Sequence, residues 1–382
     1  MKKRNLLIVS ATRMAQKDGQ VFVFEPTLRE VEKLTEIFDT ITWLGVHDPQ
    51  IPQLNGRTDS TGKINCIILP MLGGSGWKNK LKLFLGLPLQ IFTIWKYLLR
   101  FHFIHTRAPS TPALIAIGLG KWMKGKRFWH KFAGNWVDPN PPFTYALQKK
   151  WMLRFRHGNI AVNGKWPNMP SNIHAFENPC FSNQELNDAK ILSSGKSFKG
   201  KINLLFVGRV EEEKGIGRLI RAIQTLPENH QNQIGQLTIV GKGKDLDSIR
   251  KEAENDLKVP FEFLGSLKRD ALNTAYAESH IFCLPSNASE GFPKVIAEAA
   301  AFKNALLVSD VSSVAQYVHH NIHGSICNAL TPNEIGGFLK TYLENRELLE
   351  KHANLAPEIP KLFTYERYNH RVLTEIFPEL RN

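Results

Sequence analysis

Residues 280–300 read HIFCLPSNASEGFPKVIAEAA, and this stretch decides the fold class. Residues 280–284 form a short apolar run closed by Pro285, the pattern of a strand buried on both faces. A polar turn follows. Pro293 then stands where a first helical turn tolerates a residue without an N–H, and VIAEAA continues as helix. Strand, turn and helix in that order make half of a βαβ unit. The pattern recurs along the chain. Strands are expected at 5–10, 40–44, 65–69, 103–106, 127–130 and 160–162, and again at 203–207, 236–240, 261–264, 280–284 and 305–309. Two such series, with amphipathic segments between the runs, imply an α/β protein with two doubly wound parallel-sheet domains.

The 382 residues suit two to three domains at roughly 150 residues each. The boundary is expected within 176–201, where FENPCFSNQ and SSGKSFKGK concentrate turn formers. This gives domains at 1–178 and 179–362. A helical pattern at 365–377 follows the breakers Pro357 and Pro360, and residues 363–382 are expected to pack back on the first domain. Four widely spaced cysteines, with no CxxC, exclude a disulfide scaffold and the common cysteine-based zinc spacings. The start, MKKRNLLIVS, has too short an apolar core for a signal peptide. The longest apolar stretch, residues 83–95, holds Gly86, Pro88 and Gln90 and is shorter than the ~20 residues of a membrane span.

Charge is lopsided. Residues 1–178 hold 25 Lys+Arg against 10 Asp+Glu, and residues 60–137 hold twelve basic residues and no acidic one. The remainder is nearly neutral. A one-sided field implies an anionic partner for the first half. Helix-turn-helix, RRM and zinc patterns are lacking, so nucleic acid is not expected. GWKNKLKLFLGLPLQIFTIWKYLLRFHF (76–103) sets Trp77, Phe92 and Trp95 among Lys78, Lys80, Lys82, Lys96 and Arg100. KWMKGKRFWHK (121–131) repeats that mixture, which suits an anionic membrane surface. The expected location is cytoplasmic, peripheral on the inner face of the plasma membrane.

The second half carries the candidate site. NLLFVGRVEEEKG (203–215) places Gly208 and Arg209 directly after a strand, with Lys214 five residues on. A glycine there lets the backbone turn close to a ligand. Arg209 and Lys214 offer a guanidinium fork and a point charge to phosphate. Glu290 and Glu298 are eight residues apart, about 12 Å along a helix axis. That separation suits two sets of hydroxyls on one long ligand and exceeds the ~5–9.5 Å of a carboxylate pair flanking one glycosidic bond. Amides after Gly291 would point at a diphosphate lying between them. Asp245 and Asp247 fall in the first turn of a helix, and His319, His320 and His323 lack carboxylate or cysteine partners. A helix end stopped by Gly324 accounts for these histidines better than a metal does. No metal or cofactor is expected.

Strand-GR-EEEKG, strand-GKG, FLG and strand-PS-x3-EGFPKVIAE, in that order, resemble the donor half of retaining family 4 glycosyltransferases (glycosyl transferases group 1). The likeness covers about residues 202–330. It implies the GT-B architecture: two Rossmann-like domains facing a cleft, the first choosing the acceptor and the second holding a UDP- or GDP-sugar, without a metal. By that resemblance Arg209 and Lys214 bind the donor diphosphate, with Gly208 letting the chain approach it. Glu290 binds donor-sugar hydroxyls, the backbone of Gly291, Phe292, Pro293 and Lys294 contacts sugar and phosphate, and Glu298 binds ribose. The base lies by the turn at Gly265–Leu267. The family's Gly-Gly loop after the first strand corresponds to SATRMAQKDGQVF (10–22), where Gly19 stands alone. A sugar-facing histidine at a first-domain strand end corresponds best to His130, with His105 as runner-up. The implied reaction is retaining sugar transfer to a glycan or lipid-linked acceptor in bacterial cell-surface polysaccharide synthesis. A donor-binding scaffold with impaired turnover and a GT-B nucleotide-sugar epimerase are the alternatives. A phosphorylase is disfavoured, because no pyridoxal-lysine motif is present.

Overall fold

The computed structural model describes residues 3–51, 56–72, 77–155 and 158–381, without side chains at 77–85. The side chains of Trp77, Lys78, Lys80 and Lys82 therefore lie outside the described residues. The chain divides into two compact units: residues 1–176 with 368–382, and residues 177–367.

Unit 1 contains β1 (Asn5–Lys17), β2 (Gln20–Phe24), α1 (Glu25–Leu34), β3 (Thr40–His47), β4 (Gly56–Arg57), β5 (Ile64–Leu69), α2 (Trp77–Arg100), β6 (Phe103–Ala108), α3 (Thr111–Gly120), β7 (Arg127–Phe132), α4 (Phe143–Leu153), β8 (Gly158–Val162) and β9 (Ile173–Ala175). The parallel strands run in the order β5-β3-β1-β6-β7-β8-β9. Side chains alternate across this sheet, so each face builds its own core. Leu6, Ile8 and Trp129 pack with α1 and the C-terminal segment. Leu7, Val9 and Phe128 pack with α2, α3 and Met152 of α4.

One feature of unit 1 departs from the sequence reading. The first strand does not end near Ser10. It continues to Lys17 and turns back antiparallel into β2. Asp18 and Gly19 occupy the turn with φ of 51° and 75°, the pair of left-handed residues that a two-residue hairpin needs. The segment 77–100 is one helix with Pro88 inside it. No helix among the described residues is long and apolar enough to cross a membrane.

Unit 2 contains α5 (Asn183–Leu192), β10 (Ile202–Val207), α6 (Ile216–Gln224), α7 (Glu228–Gln231), β11 (Ile234–Val240), α8 (Leu246–Asp256), β12 (Phe261–Gly265), α9 (Arg269–Glu278), β13 (Ile281–Leu284), α10 (Lys294–Ala301), β14 (Ala305–Ser309), β15 (Gly324–Cys327), α11 (Pro332–Glu344) and α12 (Arg346–Leu355). Its six parallel strands run β12-β11-β10-β13-β14-β15. Winding leaves β10 to one side through β11 and β12, then returns to the other side at β13. The β10/β13 border is thus the switch point of a doubly wound sheet, and ligands bind beyond the strand carboxyl ends there.

The expected helix before Gly324 is absent. Val314–Gln316 is a single 3₁₀ turn, and Gly324 opens β15. A Cβ on Gly324 would lie 1.9 Å from the Leu306 carbonyl oxygen, so close strand packing requires the glycine, not a helix stop.

The last helix, α13 (Tyr365–Arg371), returns the chain to unit 1. There Tyr368 Oη donates to Glu30 Oε1 at 2.9 Å, and Asn369 Nδ2 donates to the Lys33 carbonyl at 2.8 Å. Glu30 is fully buried and also receives Arg107 through both Nη atoms and Lys131 Nζ at 2.7 Å.

Candidate functional site

Backbone packing builds the switch point of unit 2. Beyond β10, Gly208 N donates to the Val240 carbonyl at 3.0 Å, and Gly241 N donates to the Gly265 carbonyl at 2.7 Å. The turns after β10, β11 and β12 are thereby tied in a row. They touch so closely that a Cβ on Gly241 would meet the Gly208 carbonyl oxygen at 1.8 Å, and one on Gly243 the Val210 carbonyl oxygen at 2.1 Å. Leu267 follows the third turn and packs half-buried against the unit's core.

The turn after β10 is also pinned to the turn after β13. Gly215 has φ +86°, and a Cβ there would lie 2.1 Å from the Pro285 carbonyl oxygen. Arg218 Nη2 donates to that same carbonyl at 3.0 Å, and Ser286 Oγ and Asn287 N donate to the Glu213 carbonyl at 3.1 and 2.9 Å. The result places Lys214, almost fully buried, in an ion pair with Glu290. Arg209 stays 63% exposed on its side chain and pairs with Glu211 at 2.7 Å.

Glu290 and Glu298 are not spaced by one helix. Pro293 is the N-cap of α10, with ψ 116°, and the helix starts at Lys294. The 12 Å helical spacing therefore does not apply: Glu290 and Gly291 belong to the turn, and Glu298 sits one turn into the helix. No side-chain cap closes the α10 N-terminus, leaving a helix end whose dipole and amides favour an anion. Phe292 turns inward, its ring stacked on Phe363 at 4.6 Å and edge-on to Tyr317 at 5.1 Å. Its side chain is core, so only its backbone is available to a ligand.

Glu298 has two partners that the sequence did not reveal. Arg269 Nη1 donates to Oε1 at 2.8 Å and Tyr276 Oη to Oε2 at 3.1 Å. Burial pushes the Glu298 carboxyl up, but the Arg269 charge and the hydrogen bonds from Arg269 and Tyr276 bring it net below its ordinary value. The carboxylate is therefore ionised and fixed, and each oxygen keeps a further acceptor position. Tyr276 carries a weak signal, as the aromatic of a buried helix face. Arg269 carries none, because its partner lies 29 residues away.

The two histidine candidates of unit 1 are buried. His130 is fully buried in β7, its Nδ1 2.7 Å from Thr106 Oγ1 and its ring 4.5 Å from Phe155. Burial drives its pKa down to about 3. His105 is equally buried, stacked on Trp129 at 3.8 Å with Nδ1 3.1 Å from the Trp129 carbonyl. Both rings lie in the core of unit 1, and Nε2 of each has no hydrogen-bond partner among the described residues. Gly19 is the hairpin turn described above, and turn geometry alone accounts for it. Among the described residues, no group of three or more His, Cys, Asp or Glu could hold a metal ion.

The switch point of this doubly wound sheet thus carries the Lys214–Glu290 ion pair in the turns before an uncapped helix N-terminus. Residues 188–359 match the family model described as glycosyl transferases group 1. The chain is 28% identical over 174 residues to an uncharacterized glycosyltransferase of Methanocaldococcus jannaschii, covering 46% of this chain and 43% of the relative. It is 28% identical over 155 residues to the phosphatidyl-myo-inositol mannosyltransferase of Mycobacterium tuberculosis, covering 39% and 40%. The chain thus spans less than half the length of these relatives. Its fold is similar to Anabaena Alr3699/HepE, solved in complex with UDP-glucose, with a TM-score of 0.72 at 13% identity over 97% of this chain and 98% of that one. The fold is GT-B.

Proposed function

We propose that this chain transfers a sugar from a nucleotide-diphosphate donor to an acceptor hydroxyl, with retained anomeric configuration and without a metal ion. One observation carries the reading: Lys214 is held against Glu290 beside the uncapped α10 N-terminus, at the β10/β13 switch point. The leaving nucleoside diphosphate gathers negative charge as the glycosidic bond breaks. Lys214, Arg209 and the amides from Gly291 to Lys294 oppose that charge as it grows. Gly208 lets the chain approach the phosphates. Glu290 accepts hydroxyls of the donor sugar, Glu298 accepts the ribose diol, and the turn ending at Leu267 flanks the base. Ribose binding draws on the acceptor positions that Arg269 and Tyr276 leave open on Glu298.

Unit 1 supplies the acceptor side and a peripheral contact with the inner face of the plasma membrane. On α2, Leu89, Phe92, Trp95 and Leu99 are exposed beside Lys96 and Arg100, while Ile94 and Leu98 are buried. Trp122 is 87% exposed between Lys121 and Lys124. Aromatic and basic side chains together suit an anionic leaflet. The mycobacterial relative's name, with its lipid acceptor, supports a lipid-linked or glycan acceptor in cell-surface polysaccharide synthesis.

A donor-binding scaffold with impaired turnover is the second reading. It is favoured by the burial of His130 and His105 in the core of unit 1. One experiment separates the two. A thermal-shift screen across UDP-, GDP-, ADP- and CMP-sugars finds the donor, and its hydrolysis is then followed with and without a lipid-linked acceptor. Donor binding with turnover supports the transferase; binding without turnover in both cases supports the scaffold. No stabilisation by any nucleotide sugar ends both.

A further inference from the structure

A groove of about 480 Å³ lies in unit 2, between α5, the C-terminal end of α10 and residues 354–361. The donor loops sit at the opposite end of α10, so the groove is separate from the site above. Leu186, Ala301, Pro357 and Pro360 supply its apolar lining, beside three asparagines and a serine. Its polar edge is of one sign: Lys190, Lys303 and Lys361 line it, and no carboxylate does. Lys361 is answered by Glu358 at 2.7 Å, whereas Lys190 and Lys303 have no ion pair among the described residues.

The wall is built rather than fluctuating. Lys196 Nζ donates to the carbonyls of Tyr276, Phe302 and Lys303 at 3.2, 2.6 and 3.2 Å and also to that of Ser279. One ammonium therefore closes the C-terminal ends of α9 and α10 and fixes the peptide from which Lys303 projects.

The surroundings are apolar as well. Five large hydrophobic side chains of unit 2 are exposed among the described residues, and four of them, Ile191, Leu192, Leu355 and Leu362, are chain neighbours of groove residues. Exposed aliphatics scattered singly need no explanation, but here most of those in unit 2 fall in the same short segments that line the groove. Three lysines beside apolar lining residues match a ligand with an anionic head and an apolar tail. The volume falls within the ordinary range for a small-molecule site.

We propose that this groove binds one anionic phospholipid, its phosphate at Lys190, Lys303 and Lys361 and an acyl chain along Leu186, Ala301, Pro357 and Pro360. This would give unit 2 its own lipid contact, independent of the exposed face of α2 and of the donor site. The test uses the full chain and short-chain lipids below their micelle concentration, so that no bilayer engages unit 1. Titration calorimetry with dihexanoyl-phosphatidylglycerol should give saturable binding near one equivalent. Lys190→Glu/Lys303→Glu/Lys361→Glu should weaken it at least tenfold with the circular dichroism spectrum unchanged, and Phe92→Ser/Trp95→Ser should leave it intact. Should the triple variant not fold, Lys190→Gln/Lys303→Gln carries the same expectation at about threefold. Equal binding of dihexanoyl-phosphatidylcholine would overturn the charge selection. Equal binding of glycerol 3-phosphate would make the site a free-phosphate site and overturn the lipid. Loss of binding in the Phe92/Trp95 variant would place the lipid on unit 1, and absence of any binding would end the proposal.

Discussion

The two units wind their parallel strands in the same order and finish the first strand differently. In unit 2, β10 stops at Val207 and Gly208 turns the chain among neighbouring loops. In unit 1, β1 passes the corresponding point and runs on to Lys17 as one arm of a hairpin. One unit thus keeps an open turn at its switch point, with backbone amides and cations beside it. The other uses the same place for antiparallel pairing with β2. A shared winding order does not make two equivalent anion sites; what the first strand does at its carboxyl end decides.

The units also differ in how charge is held. Unit 1 concentrates two cations and a tyrosine on one buried carboxylate, Glu30, drawn from α1, β6, β7 and the C-terminal segment. Replacing Glu30 with Gln removes the negative charge that Arg107 and Lys131 share and leaves these buried cations opposed to one another. Breaking such a cluster costs about 3–5 kcal/mol, or about 6–20 °C at about 2–4 °C per kcal/mol for a unit of this size. Calorimetry should show the loss in the transition of unit 1. An unchanged melting profile would mean that Glu30 does not hold the C-terminal segment.

In unit 2 the comparable charge pair is at the site, so its loss should appear in rate before stability. Lys214→Ala is expected to lower kcat by ~10²–10³, the range for one preorganised contact to developing charge. Glu290→Gln should raise KM for the donor and lower kcat, while keeping the fold. If Lys214→Ala changes only melting temperature and not turnover, the pair is structural.

The glycines sharpen the same contrast. Gly215→Ala forces a side chain into left-handed backbone and against the Pro285 carbonyl. Its cost is about 1–3 kcal/mol, with donor affinity reduced because Lys214 moves with the turn. Gly19→Ala, in open space at the hairpin tip, pays only the left-handed penalty. Donor affinity unchanged in Gly19→Ala and reduced in Gly215→Ala would separate a fold glycine from a site glycine.

Legibility followed this division. Unit 2's strands were visible as continuous apolar runs, and its site residues lie in turns a few positions beyond those runs, where local chain geometry places them. Unit 1's cluster joins residues 77, 101 and 338 positions apart, and no local pattern announces it. Arg269 escaped for the same reason. β4, two residues, and β9, three, are too short to read as strands, whereas β2 (QVFVF) has a strand's composition. Asp18-Gly19 did carry a hairpin signal, which the expectation of a ligand-covering loop obscured. His130 shows that a place near a strand's end does not bring exposure: both faces of this sheet are covered, and the ring lies in the core beside Phe128 and Phe155.

That burial sets a pH dependence. His130 is held neutral with its pKa near 3, and His280, between the Asn203 amide and the Ser197 carbonyl, near 4. Burial is the first cause for both. Their folded values lie below the unfolded value of about 6.5, so the unfolded chain takes up these protons first. Stability is full above pH 6.5 and declines as pH falls towards 4 and then 3. His130→Gln should flatten this slope in melting temperature against pH, while the pH profile of kcat/KM keeps its shape. A shifted activity profile would instead return His130 to the reaction.

The smallest effect concerns the exposed face of unit 1, because each side chain there contributes only part of a shared contact. Trp122→Ala removes the most exposed aromatic of that face, so co-sedimentation with phosphatidylglycerol vesicles should fall severalfold while donor affinity in solution stays unchanged. The basic residues contribute through a field that salt screens over about 8–10 Å near physiological ionic strength. Raising salt should therefore weaken vesicle binding more than Trp122→Ala does, and the two losses should add, since one removes charge attraction and the other apolar insertion. Equal sedimentation with neutral and anionic vesicles at low salt would show that the basic surplus of residues 60–137 serves something other than a membrane.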